Sequence, residues 1–386
     1  MSIYLDNAAT VPLSDVAADA LTTAMRKIGN ASSVHNFGRA VRKDVEDARE
    51  ELARLIGCGP TEVIFTGSGT EANNLAIKGF YWTRHAESAQ RTIIVASAFE
   101  HHAVLDPIEW LVEHEGAEQV LIPVTDAGVI DIDFLRNFVT ANRERIALVA
   151  VMHSNNELGT IQPIADVVEI AGDIPVHSDA VQSFGKVPFS FAGIGLTSAT
   201  ISAHKIGGPL GVAALILQRG LDVTPVLHGG GQERDIRSGT INAPAIISFV
   251  AAARDALGHL DERATAVNEI REYLISRIAR EIPSARINAA AGEHLPGIVN
   301  VTFPGTESDA VLLLLDSHDI AASAGSACSA GVPRPSHVLM AMGHSEADAD
   351  ASIRFSLGTI NTKADIDILM TVLPDVVAKA SKKVSA

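Results

Sequence analysis

Short apolar runs alternate with helical patterns through the first two thirds of the chain. The runs are Glu62-Val63-Ile64-Phe65, Thr92-Ile93-Ile94-Val95-Ala96, Ala147-Leu148-Val149-Ala150-Val151-Met152 and Ile174-Pro175-Val176-His177. Each is too short for a helix and too apolar for a sheet with one wet face, so each reads as a central strand. Between them, Val41, Val45, Ala48, Leu52 and Leu55 line one helical face before Gly57, and Ala72 to Lys78 follows a glycine-rich turn. Strand and helix in alternation predict an α/β fold whose mostly parallel central sheet is covered on both faces. In such sheets ligands gather beyond the carboxyl ends of the strands.

From about residue 255 the rhythm changes. A long helical stretch from Glu262 to Ile282 is followed by a strand at Gly297-Ile298-Val299-Asn300-Val301 and a helix from Ser308 to Leu315. This predicts a smaller α+β domain made of residues 1–13 and 256–386, beside a large domain of residues 14–255. With 386 residues, 47% hydrophobic, the chain is long enough for two such cores. The start, Met-Ser-Ile-Tyr-Leu-Asp, has no basic and apolar leader pattern, and no apolar run reaches the length of a bilayer span. Two cysteines, Cys58 and Cys328, provide no disulfide framework, so the expectation is a cytoplasmic protein without membrane contact. A formal net charge of −16 argues against direct nucleic-acid binding, which needs cationic side chains against the phosphates.

Three stations carry possible chemistry. Thr66-Gly67-Ser68-Gly69-Thr70-Glu71 follows a strand and opens a helix, where amides and the Thr70 hydroxyl can face a phosphate; it matches neither the P-loop nor the dinucleotide spacing. Asp179 ends an apolar strand at the ligand edge of the sheet, and Lys205 stands past another strand before Gly207-Gly208. A lysine so placed can form a Schiff base if its pKa is lowered. Taken singly, each has an ordinary explanation: a plain turn, a helix cap, a surface lysine. Together they meet the needs of pyridoxal phosphate: a lysine to hold it, an acid for its pyridine nitrogen and donors for its phosphate.

A fourth feature is Cys328, inside the small-residue run Ser323-Ala324-Gly325-Ser326-Ala327-Cys328-Ser329-Ala330-Gly331. Such a run presents a thiol rather than packing it, which suits a mobile nucleophile; an incidental buried thiol is the alternative. Glu100-His101-His102 invites a zinc reading, but adjacent histidines lack the i, i+4 spacing and no cysteine lies near, so no metal is expected. Cys58, flanked by Gly57 and Gly59, reads as helix-end packing.

These residues resemble the NifS/IscS-like cysteine desulfurases of the class V aminotransferase family, from Tyr4-Leu5-Asp6-Asn7 to Ile353-Arg354-Phe355-Ser356. Matching runs include Asn30-Ala31-Ser32-Ser33-Val34-His35, Asn155-Asn156-Glu157-Leu158-Gly159, Gly229-Gly230-Gly231-Gln232-Glu233-Arg234 and Arg237-Ser238-Gly239-Thr240. The resemblance departs only locally, at Val11, Ala31 and Asp235. It implies a PLP-dependent transferase of fold type I, a homodimer, with pyridoxal 5'-phosphate on Lys205. By the same resemblance Asp179 pairs with the pyridine nitrogen, Gln182 with the phenolic oxygen, and His101 stacks on the ring. Gly69, Thr70, Ser202 and His204 cradle the phosphate, Thr240 reaches the partner subunit's phosphate, and Asn156 and Arg354 hold the substrate carboxylate. Cys328, Lys205 and His101 would be catalytic, moving sulfur from L-cysteine onto Cys328 and leaving L-alanine. The sulfur would pass to an acceptor protein, an iron–sulfur scaffold or a tRNA-thiolation enzyme. A selenocysteine lyase, a cysteine sulfinate desulfinase, a class V aminotransferase without need of Cys328, or a silent sulfur-relay scaffold are the alternatives.

Overall fold

The structure, a computed structural model, describes residues 2–325 and 335–381. Its strands in chain order are β1 (Ile3–Tyr4), β2 (Val63–Thr66), β3 (Ile93–Ser97), β4 (Glu118–Ile122), β5 (Ile146–Ala150) and β6 (Val176–Asp179). They continue with β7 (Ser198–Ser202), β8 (Ala213–Leu217), β9 (Arg286–Ile287), β10 (Ile298–Thr302), β11 (Ile320–Ala321) and β12 (Ser352–Ser356). Seven of them form one sheet in the order β2-β8-β7-β6-β5-β3-β4. Strands β7, β6, β5, β3 and β4 pair in parallel, while β8 runs antiparallel to both β7 and β2, so β8 alone is reversed. The reason is length: residues 203–212 between β7 and β8 are too few for a crossover back to the other end of the sheet. The mostly parallel sheet expected from the apolar runs is therefore present.

The sheet's two buried faces explain why β2, β3, β5 and β8 are almost wholly apolar. Val63, Phe65, Ile93, Val95, Val149 and Ile201 join one core cluster with Val41, Val45 and Leu52 of the helix Asn36–Ile56 and with Ile246, Phe249 and Val250 of Ala243–Gly258. Their neighbours Ile64, Ile94, Ala96, Leu148 and Leu215 join a second cluster with Leu75 and Phe80 of Gly69–Glu87 and Val104 and Ile108 of His102–Glu115. Successive side chains alternate between faces, so burial of both favours apolar residues at successive positions. The helix face read before Gly57 is borne out: Gly57 takes φ 77° and its N–H donates to the Ala53 carbonyl at 2.9 Å, ending the helix.

A third cluster packs β1, β10, β11 and β12 against the helices Leu260–Glu281, Ser308–Asp316 and Lys363–Ala380, through Leu5, Leu274, Val301, Phe303, Phe355, Ile366 and Leu373. Strand β10 lies antiparallel between β9 and β12, and β1 runs parallel to β11. Several boundaries shift from the sequence reading. The helix expected from Ala72 begins at Gly69, because the Ser68 hydroxyl accepts from the Glu71 N–H and caps it, and it continues to Glu87. The alanine-rich helix Ala243–Gly258 was not marked by the sequence pattern, since alanine and glycine give little amphipathic contrast.

Candidate active site

Because all sheet strands except β8 point one way, their carboxyl ends share one edge. Ser68, Gly69 and Thr70 follow β2, Glu100 and His101 follow β3, Met152 to Asn156 follow β5, Asp179 ends β6, and Ser202, His204 and Lys205 close β7. These segments line a cavity of about 310 Å³, completed by Asp6, Ser323, Gly325 and Arg354 from around β1, β11 and β12. Among the residues singled out from sequence, Gly69, Thr70, His101, Asn156, Asp179, Gln182, Ser202, His204, Lys205 and Arg354 all lie on that one cavity. Thr240 does not; it lines a separate space with Phe65, Thr66, Gly67 and Arg237. Cys328 lies outside the described residues.

Asp179 is 6% exposed and held at both oxygens. Asn73 Nδ2 donates to its Oδ2 at 2.7 Å, and the Val181 N–H donates to its Oδ1 at 2.9 Å. Behind it, Asn73 Oδ1 lies 3.0 Å from His177 Nε2, while His177 Nδ1 lies 2.8 Å from the Ser198 hydroxyl. Since the Asn73 amide nitrogen must serve the carboxylate, its oxygen faces His177, which therefore donates from Nε2 and accepts at Nδ1. Burial pushes the His177 pKa down to about 3, so this ring stays neutral and keeps the tautomer. Sequence reasoning gave no role to Asn73 or His177. Their signal was polarity inside otherwise apolar elements, which becomes meaningful only when β6 and the helix Gly69–Glu87 are packed together.

Lys205 Nζ donates to the carbonyls of Ala8 and Ala9 at 2.6 and 2.8 Å. Ala8 also accepts from Gln182 Nε2 at 2.8 Å, so one carbonyl ties the lysine and the glutamine together. His101 caps the helix His102–Glu115, its Nδ1 accepting from the Ala103 N–H at 3.0 Å, which leaves the neutral ring's proton on Nε2. Burial lowers the His101 pKa; Asp179 opposes that, and Lys205, His102 and His337 reinforce it. His204 is lowered to about 4 by burial and then by Lys205 and Lys186, so it meets the cavity neutral.

Arg354 is 5% exposed and held across the seam between clusters. Its Nη2 donates to Asp6 Oδ1 at 2.7 Å and its Nη1 to the Asn156 carbonyl at 3.0 Å, while its buried Nε has no hydrogen-bond partner among the described residues. His102 bonds Asp106 at 2.9 Å, is half exposed and lies with its ring centroid 5.0 Å from that of His337; among the described residues no three His, Cys, Asp or Glu side chains are grouped to hold a metal ion. Cys58 packs partly buried on the core, and burial followed by Glu62 pushes its thiol up to about 12, so it stays protonated and unreactive.

The residues present fit pyridoxal phosphate. The first-turn amides of Gly69 and Thr70 precede the first helical bond, which Ala72 makes to the Ser68 carbonyl, and with the helix dipole behind them they suit a bound phosphate. A Cβ on Gly69 would lie 3.2 Å from Val181 and 3.8 Å from Ser202, so glycine leaves the cradle open. A buried carboxylate and a lysine amine in the same cavity complete the set.

The comparisons agree with the geometry. The class-V aminotransferase family model matches residues 3–369. An IscS-like cysteine desulfurase from Mycobacterium tuberculosis is 45% identical over 382 residues, covering 98% of this chain and 97% of that protein. A solved NifS-like protein aligns with a TM-score of 0.90 at 33% identity, covering 98% of this chain and all of the other, and an SspA structure in complex with cysteine aligns at 0.80 and 32% identity over 92% of this chain and 99% of its own. With the fold, the cavity and near-complete matches in accord, the chain belongs to the class-V aminotransferase family, in its IscS- and NifS-like cysteine desulfurase group.

Proposed function

We infer that this enzyme removes sulfur from L-cysteine with pyridoxal phosphate, releasing L-alanine and passing the sulfur to Cys328 and then to an acceptor protein. The single observation that carries the reading is the convergence of Lys205, Asp179, the Gly69–Thr70 helix start and Arg354 on one cavity. When bound, pyridoxal phosphate supplies the electron sink that stabilises negative charge at the carbon bearing the substrate amine.

The chain's own groups do the rest. Gly69, Thr70, Ser202 and His204 would hold the phosphate, and Asp179, oriented by Asn73, would pair with the pyridine nitrogen. Gln182 would meet the phenolic oxygen, and His101 would pack against the ring. Arg354 and Asn156 receive the substrate carboxylate, the guanidinium offering charge-assisted donors. With the coenzyme bound, the Lys205 amine would be the base that takes the α-proton, and His101, with its ring proton on Nε2, would be the proton donor near the substrate sulfur. The Cys328 thiolate accepts the sulfur atom as its bond to the β-carbon breaks, leaving an S–SH group on the enzyme and alanine in the cavity. The coenzyme-binding domain is assigned to residues 14–255, with residues 1–13 and 256–386 forming the second domain. Thr240 is assigned to the partner subunit's phosphate in a homodimer, in keeping with its place outside the cavity of its own chain. No helix among the described residues is long and apolar enough to cross a membrane.

Incubation of the holoenzyme with L-cysteine, followed by intact-mass and peptide analysis, tests the reading. Sulfur added at Cys328 with alanine formed is expected, and Cys328→Ala should abolish both the adduct and most turnover. Sulfur found only on Cys58, or full turnover by Cys328→Ala, would overturn the persulfide route.

A further inference from the structure

Lys186 lies four residues beyond Gln182, partly buried, on a cavity of about 100 Å³ that Asn7, Lys205 and Arg263 also line. Its Nζ donates to Gln182 Oε1 at 3.0 Å, and the other end of that amide, Nε2, donates to the Ala8 carbonyl at 2.8 Å. We propose that Lys186 is a positioning residue for the coenzyme site, fixing the Gln182 amide so that its N–H donors, and not its oxygen, serve the side shared with Lys205.

A carbonyl only accepts, so the Ala8 contact turns Nε2 toward it and leaves Oε1 to accept from Lys186. One N–H of Nε2 is used by Ala8, and the second is left to donate. The same Ala8 carbonyl holds Lys205 Nζ at 2.6 Å, which places the end of Gln182 beside the reactive lysine. Without Lys186 the Ala8 carbonyl alone holds the amide, and its turning would offer Oε1, an acceptor that repels an anionic oxygen.

The surroundings make a purely structural reason for Lys186 weak. Burial, then Lys205 and Arg354, push its ammonium down to about 7, and His204 in turn is lowered by Lys186. The cavity beneath it is lined by Lys205 and Arg263 and by no carboxylate among the described residues. A lysine kept among cations without an acidic partner costs stability, the mark of a residue retained for the site it serves.

The inference rests on Gln182 meeting the coenzyme's phenolic oxygen, and the test separates the two ideas. Apoprotein is titrated with pyridoxal phosphate, and the pH midpoint of the bound coenzyme's visible absorption is measured, in wild type, K186M, K186R, Q182A and K186M/Q182A. A lost donor destabilises the anionic phenolic oxygen, so K186M should bind the coenzyme about tenfold more weakly and move the midpoint to higher pH. K186R, which keeps a charged donor, should stay close to wild type, and K186M should add nothing in the Q182A background. A K186M protein with wild-type affinity and midpoint overturns the proposal, as does an equal K186M effect with Q182A already present. If K186M fails to fold, K186R decides, since a loss there despite the retained donor rejects positioning. Q182A without effect on either readout removes the Gln182 role itself.

Discussion

Arg354 and Asp6 form an ion pair, Nη2 to Oδ1 at 2.7 Å, that joins β12 to the segment after β1 at the rim of the cavity. The aspartate aligns the guanidinium while the Asn156 carbonyl holds its other amine, so the fork is set before any substrate arrives. Arg354→Gln removes the charge without emptying the space. Its KM for L-cysteine should rise by roughly tenfold to a hundredfold, with the coenzyme's absorption unchanged, as measured by steady-state kinetics and visible spectra. A lost absorption band with unchanged KM would move Arg354 from substrate to coenzyme.

The chain Ser198–His177–Asn73–Asp179 leads to a prediction at Asn73. Asn73→Ala deprives Asp179 Oδ2 of its donor and His177 Nε2 of its acceptor, and should weaken coenzyme binding to the apoprotein about tenfold. Asn73→Asp should be worse, because it sets carboxylate against carboxylate. Equilibrium titration with pyridoxal phosphate distinguishes them; equal affinities for all three proteins would remove Asn73 from the support of Asp179.

Arg49 and Glu233 make a buried two-point pair, Nη1 to Oε2 and Nη2 to Oε1 at 2.8 Å each, with side chains 6% and 1% exposed. The Val63 carbonyl and the Phe65 N–H complete it, tying β2 to the glycine-rich segment before Thr240. Arg49→Met leaves Glu233 buried and unpaired and should cost about 3–5 kcal/mol in denaturant unfolding. The double variant Arg49→Met, Glu233→Leu should recover much of that. A double variant as unstable as the single one would mean that lost packing, not the orphaned charge, sets the cost.

Glu100 is buried beside His101 and accepts from the Met152 N–H at 2.6 Å and from the Ser97 hydroxyl. Burial raises its pKa to about 8, so the folded protein holds a proton that the unfolded chain releases near pH 4.5. Its stabilising contribution is full below the unfolded value and is lost as pH rises through about 8. Glu100→Gln should flatten that decline, so its melting temperature should fall less than wild type's between pH 5 and 9. Parallel curves for the two proteins would mean that Glu100 does not titrate in this window.

How much of this could be read beforehand depended on the range of the signal. The apolar runs pointed to buried strands because burial of both faces favours apolar side chains at successive positions, and the motifs at Gly69, Asp179 and Lys205 were legible because each is local, a strand end followed by a turn. Helix and strand limits moved by a few residues where caps such as Ser68 decided them.

The sequence by itself determined the parallel α/β plan, the identity of the reactive groups and their placement after strands, since period, turn chemistry and residue type are properties of short segments. Only the tertiary structure decided that β8 reverses, that Arg354 is pinned by Asp6 from the opposite end of the chain, and that Asn73, His177 and Lys186 stand behind Asp179 and Gln182. Those relationships join residues far apart in sequence or depend on which way a side-chain amide turns, and the physical information that fixes them, the position of one buried donor against one buried acceptor, exists only after the chain has packed.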